Sequence, residues 1–492
     1  MITFDNLPTE ILILIFSHVS PAYKCRLCLC CRRLKDIIYL TSGYWNDLNL
    51  SPFWKRLKNE HLISLLRTRW RLGPPSHRQS TGRKLDLSGC YHIQSHVLEI
   101  ISKEYFPIDE LHLNRTPRYE TWINDPWLID QYYTDNPAFN TSGRLTYWNV
   151  PSSRFNRANR VMRSNTTLQI GVKAVELALP QTSRTLRSLS LAGLQFHQNA
   201  KAAMAISSCT QLTELDLSGT DMNIPALRYV LASLKKLESL KLLDVLLDPF
   251  TMIIIEQLTS LRLLHVSASD ITTAGIDPVA RIVRKLHKLE DFRLNQIIGK
   301  LDLVIDGLRT RTSLKHLELS PKTYRGYTGE TVGMADIKLS NMALSCLATH
   351  HLNLVTLRII NASQITARGL DNLLCALRHL EVLELRRCET LWLDPLRKLT
   401  PEYCPLLRIL VLNGIDIYDY SQWTDGDRLF EYLEVLDIMD TPGFNTQVMN
   451  RLLDKSKKLK KLRFYGTTVD EKQIPMNKLI SCVNKWWDVK FK

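Results

Sequence analysis

No apolar run in this chain of 492 residues nears the roughly 20 residues that a membrane-spanning helix needs. The apolar stretch Ile11–Phe16 is short and has no basic segment before it, so no secretory leader is expected. The chain has eleven cysteines, scattered without the spacing of a disulfide framework. A glycine-rich phosphate loop, a nucleophile motif and a paired metal motif are all missing from the sequence. These absences argue against a membrane protein, a disulfide-stapled secreted domain and the enzyme classes that such motifs mark. A non-catalytic, reduced protein of the cytoplasm, the nucleus or both is expected, with no cofactor and no metal. Acidic residues are also in deficit: 64 lysines and arginines against 49 carboxylates leave a formal charge of +15, which favours acidic partners without naming them.

What the chain does have is one short pattern, L-x-x-L-x-L, repeated in phase from Leu186 to Phe464. It begins with Leu186/Leu189/Leu191 and Leu212/Leu215/Leu217 and ends with Leu433/Leu436/Ile438 and Leu459/Leu462/Phe464. Eleven copies start 24 to 28 residues apart, apart from a single gap of 40 before Leu354. The last two apolar positions lie two apart, as one face of a strand requires. A helix-like stretch follows in most copies: Ile224, Leu227, Val230, Leu231 and Leu234 share one helical face. A lone strand–helix unit cannot bury its apolar side, so the copies must stack. The period falls in the leucine-rich-repeat range, and the expected fold is an α/β solenoid, a horseshoe with parallel strands inside and helices outside.

The first 50 residues do not follow the repeat. Asp5-Asn6-Leu7-Pro8-Thr9-Glu10 carries a capping residue, a first-turn proline and an early acid, the signs of a helix start. Six apolar residues follow in a row and point in every direction around a helix, more than one packing surface can cover. On physical grounds the surplus meets either a partner or the first repeat. The run Leu7-Pro8-x-Glu10-Ile11-Leu12-x-x-Ile15-Phe16-x-x-Val19-Ser20-Pro21 resembles the opening of an F-box. So do Arg26-Leu27-x-Leu29-x-Cys31-Arg32-Arg33-Leu34 and Trp45-x-x-Leu48. Lys24 and Leu34 depart from the family pattern, which favours an apolar residue and an aromatic there. An F-box before leucine-rich repeats is similar to the substrate-receptor subunits of SCF-type ubiquitin ligases. The resemblance implies that the segment binds the small Skp adaptor and through it a cullin scaffold. It places Leu7, Pro8, Ile11, Leu12 and Ile15 on the adaptor-facing surface, with the repeats holding a protein substrate for ubiquitination.

The expected organisation is a small all-α F-box at 1–50 and a basic helical joint with a first degenerate repeat at 51–79. The solenoid follows at 80–470, interrupted by insertions at about 114–167 and 321–340, and a C-terminal cap occupies 471–492. Residues 52–72 read as one helix ended by Gly73-Pro74-Pro75. Cys25 and Cys28 form a C-x-x-C pair beside Cys30 and Cys31, but a zinc site needs a second ligand pair, so these read as small packing residues. The stretches Leu85–Cys90 and Leu380–Cys388 resemble the cysteine-containing subclass of leucine-rich repeats. In the cap, Ile474, Leu479, Ile480, Val483, Trp486 and Trp487 can cover the last apolar edge or fold toward the inner face.

Strand alternation turns the third and fifth positions of each pattern toward the inner face. There Glu214, Asp216, Lys241, His265, Arg293, His316, Glu318 and Arg358 are the candidate substrate contacts. Their mixed signs fit one particular protein surface, whereas a nucleic-acid track would carry one sign throughout. Tyr324, Arg325 and Tyr327 of the second insertion follow a strand directly and should emerge on a rim, as an interface loop or a merely flexible one. Aromatics interleaved with arginines in the first insertion could stack bases and neutralise phosphates, although no nucleic-acid-binding motif accompanies them. Two alternatives therefore stand beside the ligase reading: a repeat scaffold with no ubiquitin role, and a nucleic-acid-associated protein.

Overall fold

The fold is taken from a computed structural model. It describes residues 7–114 and 172–473, less 20–22, 25–26, 42–45, 54–55, 70–82, 91, 105–107, 197–198, 268–276, 310–312, 326–330, 389–390, 392–395, 416, 418–419, 424–429, 442, 456–457, 466 and 471–472. The insertion at 114–167, apart from Asn114, and nearly all of the expected cap, including Trp486 and Trp487, lie outside these residues. The chain forms two units, 1–237 and 238–492.

In the first unit, helices α1 (Thr9–Ser17) and α2 (Arg32–Leu40) pack together ahead of strand β1 (Asp47–Asn49). Then come α3 (Asn59–Arg69), β2 (Lys84–Asp86), α4 (Ser95–Glu104), β3 (Glu110–His112), α5 (Val172–Thr182), β4 (Ser188–Ser190), α6 (Ala200–Ser207), β5 (Glu214–Asp216) and α7 (Ile224–Ser233). The single helix expected over 52–72 is instead a 3-10 turn at Ser51–Phe53 followed by α3, because the Leu50 and Phe53 carbonyls accept the turn's bonds first. All five strands are parallel and in register, with Leu48, Leu85, Leu111, Leu189 and Leu215 in one buried row. The pairing of β3 with β4 keeps that register across the first insertion.

The second unit continues the alternation. It contains β6 (Ser239–Leu242), α8 (Pro249–Glu256), β7 (Leu263–Ser267), α9 (Asp277–Lys285), β8 (Asp291–Ile297), β9 (Gly299–Lys300), α10 (Asp302–Leu308) and β10 (His316–Pro321). Next are β11 (Thr323–Arg325), β12 (Thr331–Met334), β13 (Ile337–Lys338), α11 (Asn341–His350), β14 (Thr356–Ile360), α12 (Ala367–Ala376), β15 (Val382–Arg386), β16 (Ile409–Asn413), β17 (Val435–Met439), α13 (Thr446–Lys455) and β18 (Lys461–Tyr465). Leu240, Leu264, Phe292, Leu317, Leu357, Leu383, Leu410, Leu436 and Leu462 form a second buried row on parallel neighbours. Each such side chain contributes at most about 1.5–3 kcal/mol by leaving water, and the repetition makes the unit stable. Both units are leucine-rich-repeat solenoid layers: parallel strands with helical returns, preceded in the first by the small helical segment.

Local rules explain the return paths. Four strands leave their repeat through a glycine with positive φ, Gly89, Gly193, Gly219 or Gly414; at the same repeat position Asp244, Asn361, Arg387 and Asp440 adopt this conformation without glycine's freedom. Helix starts are closed by side-chain oxygens of Asn199, Asn223, Asp248, Ser340 and Thr366, which accept from the first-turn N–H groups. Between β16 and β17 a 3-10 turn at Tyr420–Trp423 does the work of a helix. Trp423 is buried edge-on against Tyr420 and Phe430, and its indole N–H donates to Leu399 O at 2.7 Å.

Candidate docking helix and charged face

Helix α1 has two sides. Leu12 and Phe16 are buried, and the Arg33 guanidinium donates to Leu7 O at 2.6 Å, tying the start of α1 to α2. Ile11, Leu14 and Ile15 project outward at i, i+3 and i+4, forming one apolar stripe; Leu14 is 61% exposed. Pro8 occupies the cap position and is exposed, and Leu7 is half-buried. Of the expected adaptor-facing set, Leu12 has no exposed surface and packs inside the chain. Leu14, which belongs to the outward stripe, escaped the sequence reading although its spacing from Ile11 and Ile15 is the signal that identifies it.

Two residues singled out in the sequence have defined surroundings in this segment. Lys24 is buried, which lowers its ammonium pKa, while the Asp47 carboxylate pulls the other way. Cys31 is no mere packing residue: its Sγ accepts the Leu34 N–H at 3.5 Å and caps α2. Among the described residues no group of three or more His, Cys, Asp or Glu side chains could hold a metal.

Side chains at the third and fifth repeat positions of the second unit form a chain of charges lying across neighbouring strands. One register row reads Lys241, His265, Arg293, Glu318, Arg358, Glu384, Val411 and Asp437. Arg293 bridges Asp291 at 3.3 Å and Glu318 at 3.7 Å; Arg358 bridges Glu318 at 3.1 Å and Glu384 at 3.3 Å. Arg386 then holds Glu384 at 2.5 Å and Asp437 at 3.5 Å. Exposure of the ion-paired side chains runs from 3% at His265 to 17% at Arg293, so these charges lie largely against one another. A partner on this face would meet an ordered and nearly neutral surface.

His265 stands in register between Lys241 and Arg293. Its pKa falls to about 4, first from burial and then from the Arg293 charge, outweighing its bond to Asp291. The imidazole is neutral at pH 7, so its Nε2 carries the proton donated to Asp291 Oδ1 at 3.1 Å. Burial alone would raise the Asp291 pKa, but the His265 bond and the Arg293 charge hold it below the usual carboxylate range. Glu384 moves up, because burial outweighs Arg386 and Arg358. His316 moves down through burial, and its Nδ1 lies 3.0 Å from Thr356 Oγ1.

The structure thus joins Lys241, His265, Arg293, Glu318 and Arg358 of the expected inner-face set into one row, with His316 in the outward row beside it. Glu214 and Asp216 lie in the first unit. There Ser188 Oγ donates to Glu214 Oε2 at 2.9 Å, and burial raises the Asp216 pKa against bonds from Ser218 and Ser190. Asp291, Glu384 and Asp437 fall at the third and fifth repeat positions but were not among the candidate contacts, and Arg386 lies outside those positions; together they neutralise the row. The rim insertion is a β-hairpin: β11 and β12 pair antiparallel, Tyr324 opposite Gly333 and Arg325 opposite Thr331. Tyr327 lies outside the described residues.

With this geometry in place, comparison with known proteins gives one domain match. Residues 4–45 match the F-box domain. No curated protein matches the chain. Among solved structures, it is similar to an internalin (inlF) from Listeria monocytogenes, with 15% identity over 69% of this chain and 94% of the other, TM-score 0.40. A crystal structure of the yeast Rad7 and Elc1 complex matches at 17% identity, covering 72% of this chain and 91% of the other, TM-score 0.42. A TLR13–ssRNA13 complex matches at 19% identity, covering 57% and 36%, TM-score 0.35.

Proposed function

We propose that this chain is the substrate-holding subunit of an SCF-type ubiquitin ligase. Its F-box docks on the small Skp adaptor, the adaptor joins a cullin scaffold, and the repeats present a protein for ubiquitination. The observation that carries this reading is the F-box match at residues 4–45 coinciding with an unburied apolar stripe, Ile11, Leu14 and Ile15. A helix that served only to cap the first repeat would have no reason to leave that stripe in water. Leu7 and Pro8, at the start of the same helix, extend the docking surface.

The mechanism is proximity. A subunit that binds adaptor at one end and substrate along its repeats raises the effective concentration of substrate beside the transfer site, and needs no reacting group of its own. Inner-face residues Glu214, Asp216, Lys241, His265, Arg293, His316, Glu318 and Arg358, with Tyr324, Arg325 and Tyr327 of the second insertion, are the residues we assign to substrate. Size-exclusion chromatography of the full chain with purified Skp adaptor and cullin tests the assembly. Co-elution of all three is expected; separate elution would leave a repeat scaffold with no ubiquitin role.

A further inference from the structure

The second insertion builds a surface that neither the F-box nor the inner-face row uses. Strands β9 and β13 pair in parallel, Gly299 opposite Ile337 and Lys300 opposite Lys338. Ile337 is buried, so by strand alternation the two lysines share the outward face, and both are exposed. Like charges directly opposite on paired strands destabilise one another. Among the described residues neither ammonium has an ion-pair partner. Of the described carboxylates in these connections, Asp302 accepts the Ser340 N–H at 3.0 Å, and Asp336 accepts the Ser363 N–H at 3.0 Å and its hydroxyl at 2.5 Å. A third lysine, Lys322, follows Pro321, the register partner of Ile297.

Apolar side chains flank this cationic pair. Ile298 precedes β9, Leu303 lies in the first turn of α10, and Met342 lies in the first turn of α11; all three are exposed, Met342 to 77%. The Ser340–Asp302 bond holds the starts of these two helices together, which brings Leu303 and Met342 to the same rim as the lysines. The geometry points to a docking surface here for an acidic peptide segment with apolar anchor residues, contributed by a partner protein. Carboxylates of such a segment relieve the Lys300–Lys338 repulsion while its apolar side chains cover Leu303, Met342 and Ile298. This rests on reading the repeats as a partner-holding surface and is independent of adaptor docking.

The test is fluorescence anisotropy on the full chain without adaptor, using a labelled peptide of alternating glutamate and leucine and its lysine–leucine counterpart. The glutamate peptide is expected to bind and the lysine peptide not. Lys300→Glu/Lys338→Glu should lower affinity at least tenfold, and Leu303→Ser/Met342→Ser should lower it several-fold. Lys338→Gln should weaken binding while leaving the melting temperature equal or higher, which damage to the fold would not do. Equal binding of both peptides, or unchanged affinity in Lys300→Glu/Lys338→Glu, would overturn the assignment. Full displacement by inorganic phosphate, with no effect of the serine variants, would also overturn it in favour of a free-anion site. A chain that binds the glutamate peptide but not Skp adaptor would keep this surface and lose the ligase reading.

Discussion

Arg386 reaches across a whole strand to Asp437: its Nη2 lies 3.5 Å from Asp437 Oδ2, although β16 runs between their strands and presents only Val411 in that row. One guanidinium therefore joins β15, whose Glu384 it also holds, to β17 across the intervening repeat.

Arg386→Ala should take one guanidinium from each of two buried carboxylates, leaving Glu384 with Arg358 and removing the Asp437 bridge. Removing one partner of a buried pair costs about 3–5 kcal/mol, whereas removing charge on both sides costs less. The urea midpoint should fall clearly for Arg386→Ala and recover in part in Arg386→Met/Glu384→Gln/Asp437→Asn. A midpoint unchanged in Arg386→Ala would show that solvent screens this row.

His265 ties stability to pH. Its folded pKa, about 4, lies below the ordinary value of 6.5, so the unfolded chain takes up the proton first. The stabilisation is complete above pH 6.5 and is lost as pH falls from there to about 4, by up to ~3 kcal/mol. His265→Gln should flatten the melting temperature across that window relative to wild type. Parallel curves for the two proteins would contradict a neutral, buried imidazole.

Two glycines separate crowding from backbone strain. A Cβ at Gly307 would lie 2.7 Å from Val283 Cγ2 and 2.8 Å from Ala280 O, so α9 packs the Val283 side chain and the Ala280 carbonyl directly against the α10 backbone. A Cβ at Gly414 meets nothing within 4 Å, but φ is +65°. Gly414→Ala should cost about 1–2 kcal/mol from the left-handed conformation. Gly307→Ala should cost about 1–3 kcal/mol by overpacking, and pairing it with Val283→Ala should recover part of that loss, a rescue unavailable to Gly414→Ala. Chemical denaturation of the three variants measures this.

The repeat was legible in the sequence because the row from Leu240 to Leu462 recurs every 24 to 28 residues save for one gap of 40, and every member is buried. The alternation Arg293, Glu318, Arg358, Glu384 was legible too, since it falls at one repeat position. What it meant was not. Whether those charges are offered to a partner or spent on each other depends on strand register and side-chain reach, and Arg386 lies one position beyond the pattern that was read. At α1 the spacing of Ile11, Leu14 and Ile15 marked a stripe, but six consecutive apolar residues hid which side α2 would cover. That is why Leu12 was assigned outward and Leu14 was missed. Cys31 as a helix cap, and a hairpin in place of a rim loop, depended on hydrogen bonds that no periodicity encodes.

The most direct test of the ligase reading is the affinity of the full chain for purified Skp adaptor in wild type, Ile11→Asp/Leu14→Asp and Leu12→Ala. Centrally placed apolar contacts contribute 2 kcal/mol or more each, so the aspartate pair should weaken binding at least ~30-fold with an unchanged melting temperature. Leu12→Ala should instead lose about 2–5 kcal/mol of stability, as a buried leucine does. Tight wild-type binding that survives Ile11→Asp/Leu14→Asp would contradict the docking stripe, and no wild-type binding would contradict the ligase reading itself.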